Sequence, residues 1–337
     1  MIVRFSRQVL VEWIGKRGQK RLGEKSCLII GCGALGASSA TILVRAGIGD
    51  LRIVDRDIVE ISDLSRNMLF DETDVTKIMP KPLAAKKKLE RINSEVNIES
   101  FEDDVNSGNI EKYARGVDII LDGTDNLETR FLINDLSLAE KIPYVFGACV
   151  SSQGMVMNII PGKSPCLRCF IEEVPQYGSL ATCETAGILP SIPIVVGAIQ
   201  ANEAIKILIN NKRVEKRLIF IDIERNEFSK LRVDRKERCP ACRGEYEYLM
   251  KRKGTDATIL CGRETVQISP VKKMHISLGE LAKRLALRGE IVVGKHLIKF
   301  APNKKNEIIF FRDGRALIKG TGDKKFARSL YSKYIGN

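Results

Sequence analysis

The sequence predicts an α/β fold, in which a doubly wound and mostly parallel sheet is extended by antiparallel strands. Three observations carry this expectation. Up to about residue 150, short apolar strands alternate with helical segments, which is the pattern of parallel sheets. A glycine-rich turn joins the first strand to the first long helix. Beyond residue 150 the strands follow one another more closely, and residues 255–337 form a separate pattern.

The elements of the first domain, predicted over residues 1–250, follow from periodicity and turn signals. Residues 5–22 carry apolar side chains at helical spacing and predict one helix. The segments SCLII, LRIVD, VNIESF, VDIILD and PYVFGACV are apolar runs bounded by turn residues and predict strands. Helices are predicted over residues 35–46, LAAKKKLERIN and ETRFLINDLSLAEK. Three further strands, GMVMNII, RLIFIDI and EFSKLRV, accompany one long apolar helix, IPIVVGAIQANEAIKILI.

Residues 255–337 predict a small α+β module. Helical patterns at LGELAKRLAL and KFARSLYSKYI enclose strands that are separated by the turn signals PNKKN and RDGR. The net charge of the chain is +13, and residues 254–337 contain 17 Lys and Arg against 7 Asp and Glu. This basic module has either a solvated surface or a docking surface for an acidic protein. No run alternates basic with aromatic residues, so nucleic acid ranks last among the partners of this surface, and none is required.

Compartment is inferred from the N-terminus and the cysteines. No apolar run approaches the roughly 20 residues that a membrane span requires. The segment MIVRFSRQVLVEWIG lacks the layout of a signal peptide. The nine cysteines occur in a chain that is too long to need disulfides. We therefore expect a soluble cytoplasmic protein with no membrane partner.

A nucleotide-binding turn is predicted directly after the first strand. Gly31, Gly33 and Gly36 form the pattern G-x-G-x-x-G where a strand gives way to a helix. Such Rossmann-like turns bring backbone N–H groups and a helix N-terminus to phosphates. Asp55 ends the second strand, where its carboxylate can accept hydrogen bonds from ribose hydroxyls. These features fit NAD and ATP equally well.

Charged residues further along favour ATP. Arg66 follows the second strand and Lys81 precedes a helix. The segment LDGTDN places Asp125 and Asn126 at the carboxyl end of a later strand, where ligands of open α/β sheets bind. Cations and a carboxylate around a phosphate turn suit a triphosphate with Mg²⁺ better than a nicotinamide. Both histidines lie in the C-terminal module, which argues against a nicotinamide oxidoreductase, the competing interpretation.

The chain resembles the ubiquitin-activating superfamily in its simple prokaryotic form, the adenylyltransferases of the ThiF, MoeB and HesA type. The resemblance rests on a set of segments in family order over roughly residues 4–243: RFSRQVL, GCGALG, VDRDIVEISDLSRN, PKPLAAKKKL, LDGTDN, PCLRC, ATCETAGILP and CPAC. Each segment alone is weakly specific, whereas the ordered set is highly specific.

The resemblance implies an activity and its partners. Such enzymes use ATP to adenylate the C-terminal glycine of a ubiquitin-like or sulfur-carrier protein that ends in Gly-Gly. It also implies a homodimer, because the arginine matched by Arg7 reaches the active site of the other subunit. A downstream conjugating protein or sulfurtransferase is a further expected partner. The alternative is a degenerate relative that binds nucleotide or a partner without turnover.

The resemblance also assigns roles to residues. Gly31, Gly33 and Gly36 would lie against the phosphates of ATP. Arg66 and Lys81 would bind phosphate, and Asp125 would hold Mg²⁺. The remaining members of the nucleotide-binding set are Asp55, Asp57, Asp63 and Asn126.

The chain departs from the family pattern near these residues. Asp63 stands where the family usually has asparagine, and its carboxylate would repel ATP unless it meets Mg²⁺ or Arg66. About two extra residues precede Lys81, which makes Lys77 a competitor for its role.

Two C-x-x-C pairs predict a metal site. Cys166 and Cys169 form one pair, and Cys239 and Cys242 form the other. Four thiolates are a tetrahedral set that structural Zn²⁺ prefers, and the family has a zinc at this place. An iron–sulfur cluster is the alternative.

Cys183 is a separate candidate, in a polar connection that precedes an apolar helix. The equivalent family cysteine can attack the adenylated glycine to form a thioester, or can carry a persulfide. A following helix N-terminus would lower the pKa of such a thiol. The competing interpretation is an inert cysteine, because some relatives stop at the adenylate.

Overall fold

A computed structural model gives the fold and describes residues 3–172, 186–250, 257–259, 264–269 and 276–335. The chain divides into two compact units. The first comprises residues 1–72 and 80–252, and the second comprises residues 73–79 and 253–337. The short segment 73–79 thus groups with the C-terminal unit, a membership that the sequence did not predict.

An eight-stranded sheet forms the centre of the first unit. Its strands are β1 (Ser26–Ile30), β2 (Asp50–Asp55), β3 (Asn97–Glu102), β4 (Ile119–Asp122), β5 (Tyr144–Val150), β6 (Gln153–Ile159), β7 (Leu218–Asp222) and β8 (Glu227–Leu231). Their spatial order is β3-β2-β1-β4-β5-β6-β7-β8. Strands β1 to β5 pair in parallel, and the pairs from β5 to β8 are antiparallel. The predicted parallel sheet with an antiparallel extension is confirmed.

Helices cover this sheet and connect its strands. They are α1 (Gly15–Leu22), α2 (Ala34–Ala46), α4 (Lys81–Ile92), α5 (Ile110–Ala114), α6 (Leu127–Glu140), α7 (Leu167–Phe170), α8 (Ser191–Leu208) and α9 (Glu247–Met250). Helix α3 (Glu72–Thr76) lies almost wholly in the segment that groups with the second unit. Short 3₁₀ helices lie at Gln8–Leu10, Ile61–Ser65 and Ala241–Arg243. Helix α2 ends at Gly47, whose left-handed φ of 83° closes the helix in the usual way.

The prediction of one helix over residues 5–22 is wrong. The segment forms the 3₁₀ helix Gln8–Leu10 and then α1, which begins at Gly15. Gly15 has a φ of +57°, in the left-handed region that interrupts a right-handed helix. Apolar residues of this segment still pack into the core, since Phe5 and Ile14 are buried.

The long apolar helix α8 is a core element of the first unit. By length and composition it could cross a membrane, but more than half of it is buried inside the unit. It packs against α2 and against β5 and β6. Gly197 permits the close approach to α2, because a Cβ at this position would lie 2.7 Å from the Cβ of Ser38. Ser39 in α2 donates a hydrogen bond to the Gly197 carbonyl at 3.3 Å.

The second unit contains a six-stranded antiparallel sheet. Its strands are β9 (Ala257–Ile259), β10 (Thr265–Ile268), β11 (Glu290–Val293), β12 (Leu297–Ala301), β13 (Glu307–Phe311) and β14 (Ala316–Lys319), in the order β11-β12-β13-β14-β10-β9. Helices α10 (Leu278–Leu285) and α11 (Lys324–Ile335) contribute Leu281 and Tyr334 to an apolar core with Phe300. This unit is the α+β module that the sequence predicts.

Gly197→Ala should destabilise the first unit by about 1–3 kcal/mol, because the added methyl group would overlap Ser38 unless the helices separate. Urea unfolding of the full-length protein would measure the loss. The matched control is Gly279→Ala in α10, where an added Cβ meets no atom within 4 Å. That change should cost nothing. An unchanged transition in Gly197→Ala would contradict the tight contact between α2 and α8.

Candidate active site and metal centre

The glycine turn packs against the end of the neighbouring strand β4. Gly31 has a φ of +91°, and a Cβ there would lie 2.4 Å from the carbonyl oxygen of Gly123. A Cβ on Gly36 would lie 2.0 Å from the carbonyl oxygen of Gly31. Both positions therefore require glycine for internal packing. Gly33 differs, since its Cβ would meet no atom within 4 Å, which leaves open space at the N-terminus of α2 for a phosphate.

Asp55 connects the turn to the end of β2. One carboxylate oxygen accepts a hydrogen bond from the Cys32 amide at 2.5 Å, and the other accepts one from the Asp57 amide at 2.7 Å. Burial, and then the charge of Asp57, raise the pKa of Asp55 to about 6, although Lys81 and the two amides oppose this. Each oxygen retains lone pairs that could accept from a ribose hydroxyl.

The two predicted phosphate-binding cations lie together at Asp63. The Lys81 Nζ is 3.3 Å from Asp63 Oδ2 and 3.6 Å from Asp57 Oδ2. The Arg66 Nη2 is 3.1 Å from Asp63 Oδ1. Asp63 therefore pairs with Arg66. Contact with either Mg²⁺ or Arg66 is what the sequence analysis requires of a carboxylate at this position. Lys77 is exposed on segment 73–79, whereas Lys81 is buried beside these carboxylates.

A further cation, Arg56, was missed by sequence reasoning. Its guanidinium donates to Asp104 Oδ1 at 2.8 Å. Burial alone would lower the pKa of Arg56, but the charge of Asp104, followed by those of Asp57 and Asp125, raises it above its usual range. Arg56 therefore lies among carboxylates that follow β2, β3 and β4. Sequence reasoning could have identified Arg56 from its position directly after Asp55, at the carboxyl edge of the sheet, where ligands of open α/β sheets bind.

Asp122 supports the loop after β4. Its carboxylate accepts hydrogen bonds from the Thr124 amide at 2.8 Å and from the Tyr144 hydroxyl at 2.7 Å. The Arg130 Nε lies 3.2 Å from the same carboxylate. Burial and then the charge of Asp122 raise the pKa of Tyr144 well above its ordinary value. Because Asp122 is buried and surrounded by donors, it fixes the loop and is not open to a ligand.

Asp125 and Asn126 have different surroundings on this loop. Asn126 begins α6, and its side-chain oxygen accepts from the Thr129 amide at 2.9 Å, as N-cap residues do. Asp125 is exposed at the carboxyl edge of the sheet. Asp125 is therefore the carboxylate of the loop that a cation can reach, while Asn126 has a structural partner.

Among the described residues, the predicted site residue Arg7 has no hydrogen bond or ion pair with this group. Arg7 is exposed, at the start of the 3₁₀ helix Gln8–Leu10. Cys183 lies outside the residues that the structure describes.

The four cysteines of the two C-x-x-C pairs come together. The sulfur of Cys166 is 3.9 Å from that of Cys169 and 3.6 Å from that of Cys239, and the sulfurs of Cys169 and Cys242 are 3.6 Å apart. All four sulfurs lie within 4.8 Å of one another. A tetrahedral zinc with bonds of about 2.3 Å places its sulfurs about 3.8 Å apart. The cluster therefore has the dimensions of a Cys₄ zinc site.

Helix α6 anchors both cysteine segments. Asn134 accepts a hydrogen bond from the amide of Leu167, inside the first pair, at 2.8 Å. Asp135 accepts one from the amide of Tyr248, which follows the second pair, at 2.8 Å. Burial raises the pKa of Asp135 to about 6. One helix is thus hydrogen-bonded to the first pair and to the segment that follows the second pair.

The other described cysteines are not part of this cluster. Cys27 and Cys32 are fully buried, and burial raises the pKa of both thiols. Cys149 is half-buried near the end of β5. The two buried thiols are therefore part of the core.

Comparisons with known proteins identify relatives. The model of the ThiF family matches residues 5–241. A sulfur carrier protein ThiS adenylyltransferase from Bacillus subtilis is 42% identical over 340 residues, covering 100% of both chains. A SAMP-activating enzyme E1 from Haloferax volcanii is 35% identical over 71% of this chain and 88% of its own. A sulfur carrier protein adenylyltransferase from Thermus thermophilus is 35% identical over 72% of this chain and 91% of its own.

Solved structures agree on the fold. The Escherichia coli MccB structure with ATP has a TM-score of 0.62 and 22% identity, over 71% of this chain and 74% of that one. At this identity the likeness concerns the fold alone. The family match, by contrast, extends over most of the chain and spans the glycine turn, the cations and all but the last of the four clustered cysteines. The chain belongs to the ThiF family.

Proposed function

We propose that the protein adenylates the C-terminal glycine of a ubiquitin-like sulfur-carrier protein, using ATP and Mg²⁺. The observation that carries the proposal is the placement of Arg66 and Lys81 beside buried carboxylates at the carboxyl edge of the sheet, which the glycine turn also reaches. Residues 1–250 would form the adenylation domain. The family relatives, which are named as adenylyltransferases and activating enzymes, support this reaction class.

The proposed reaction requires stabilisation of the negative charge on the phosphates, and it does not require a general base. The glycine carboxylate is ionised at neutral pH and attacks the α-phosphorus of ATP. A carboxylate–phosphorus bond forms as the bond to the β-phosphate oxygen breaks, and pyrophosphate leaves with that electron pair. Arg66 and Lys81 would stabilise the charge on the leaving group. Mg²⁺, held by Asp125, would supply charge neutralisation at the phosphates.

The carrier and the assembly are also proposals. The Bacillus relative aligns with the whole chain, including the basic module, and its name specifies ThiS as the carrier. This favours a ThiS-like protein that ends in Gly-Gly. Arg7 is exposed and its guanidinium has no ion-pair partner among the described residues, which suits a role across a homodimer. A degenerate binding protein is less well supported, because Arg66, Lys81 and Asp125 are all retained.

The four clustered thiolates would hold a structural zinc ion. Such a set stays reduced in the cytoplasm, where we place the protein. Cys183 would then be the reactive thiol. Its thiolate would attack the carbonyl carbon of the adenylated glycine, so that a thioester forms and AMP leaves. In the alternative, Cys183 would carry a persulfide whose outer sulfur is transferred from the persulfide of a sulfurtransferase, which is left as a thiol.

Asp125→Ala should lower carrier-dependent exchange of pyrophosphate into ATP by roughly a hundredfold or more, because a charge-stabilising ligand at the phosphates is lost. Exchange of labelled pyrophosphate measures this directly. Asp234→Ala, which removes an exposed carboxylate paired with Arg232, is the matched control and should retain activity. Full exchange in Asp125→Ala would contradict its role in holding the metal.

The purified protein should contain one zinc ion per chain, as measured by elemental analysis. Cys239→Ser should lose the metal and unfold at lower temperature, because one of four ligands is lost. Cys149→Ser, outside the cluster, should keep it. Iron with visible absorbance, or no metal in the wild-type protein, would refute the zinc assignment.

If Cys183 is the nucleophile, ATP and the carrier should give a thiol-sensitive conjugate on a non-reducing gel, and Cys183→Ala should abolish this band without reducing pyrophosphate exchange. Adenylation precedes thiol attack, so the two assays separate the steps. A conjugate that persists in Cys183→Ala would eliminate this role.

A further inference from the structure

The carboxylate of Asp63 lies between the two cations of the nucleotide site. One oxygen is 3.1 Å from Arg66 Nη2, and the other is 3.3 Å from Lys81 Nζ. That second oxygen also accepts a hydrogen bond from the Glu60 amide at 3.0 Å. The side chain of Asp63 is only 4% exposed, so its charge is poorly screened by water.

These contacts argue that Asp63 does not bind the nucleotide directly. Both of its oxygens already have donors within the protein. A phosphate oxygen is itself only an acceptor, so it would repel this carboxylate. Asp63 can act on the nucleotide only through Arg66 and Lys81, each of which can also bind a second anion.

We propose that Asp63 is an internal counter-anion of the nucleotide site, which positions Arg66 and Lys81 and lowers the affinity of the site for pyrophosphate and ATP. This inference rests on the function proposed above. By pairing with both side chains, Asp63 holds Arg66 and Lys81 in one place, and it also weakens their attraction for phosphate. The arrangement favours release of the pyrophosphate product over its retention.

The contact of Lys81 with Asp57 limits what Asp63 alone controls. Lys81 Nζ lies 3.6 Å from Asp57 Oδ2, so this lysine keeps a carboxylate contact when the Asp63 charge is lost. Arg66 also keeps one contact, because its Nη1 donates to the Ser62 carbonyl at 2.6 Å. Neutralising Asp63 should therefore free cationic charge for phosphate without removing either side chain from the site.

Asp63→Asn, which preserves shape and removes the charge, tests the proposal. Calorimetry with inorganic pyrophosphate at constant Mg²⁺ should give about tenfold tighter binding than in the wild-type protein. In the exchange assay, KM for ATP should fall, and kcat should fall as well, because the amide holds the two cations less firmly. A purely structural role would not tighten binding.

Two further variants make the outcome specific. Asp63→Glu restores the charge and should bind pyrophosphate with near wild-type affinity. Asp118→Asn removes a carboxylate that pairs with Lys25 just before β4, and should leave binding unchanged. Equal or weaker binding of pyrophosphate by Asp63→Asn would overturn the counter-anion role while leaving the proposed function intact. A wild-type protein that binds neither pyrophosphate nor ATP would refute both.

Discussion

The nucleotide edge of the first unit depends on a backbone contact between the ends of two neighbouring strands. Ile30, the last residue of β1, pairs with Val54 on one side and with Asp122 on the other. The chains that leave β1 and β4 then approach so closely that Gly31 and Gly123 tolerate no side chain. In this sheet the strand order reverses between β1 and β4, which is where ligands of open α/β sheets bind. The close contact between the chain segments that follow β1 and β4 therefore shapes the crevice in which such ligands bind.

The cations at this crevice pair with carboxylates of the protein close by. Arg56 is matched by Asp104, and Lys81 and Arg66 are matched by Asp63. A triphosphate bound here would meet cations that already pair with carboxylates of the protein, and it would have to share them with those carboxylates. Such preorganisation avoids rearrangement during the reaction, although it weakens ground-state binding.

Sequence reasoning succeeded where the cause of a feature is local. The glycine turn, the strand ends and the C-x-x-C pairs each follow from a few consecutive residues, and the assembly of four cysteines follows from the geometry that a metal requires. It failed at Gly15, because helical spacing does not reveal a left-handed residue. It could not foresee that Asn126 would cap a helix, or that Asp122 would be enclosed by Tyr144 and Arg130. Those outcomes depend on side chains from other elements.

The topology places the cysteine cluster away from the nucleotide edge of the sheet. Strand β5 runs parallel to β4 and ends at the nucleotide edge, whereas β6 and β8 run in the opposite direction. The chain therefore enters both cysteine segments from the edge opposite to the glycine turn. Helix α6, capped by Asn126 on the nucleotide side, is hydrogen-bonded to both segments through Asn134 and Asp135. The two cysteine segments lie about 70 residues apart in sequence and are hydrogen-bonded to one helix, α6. A metal between them would therefore stabilise the helix that follows Asp125, without contacting the reacting groups.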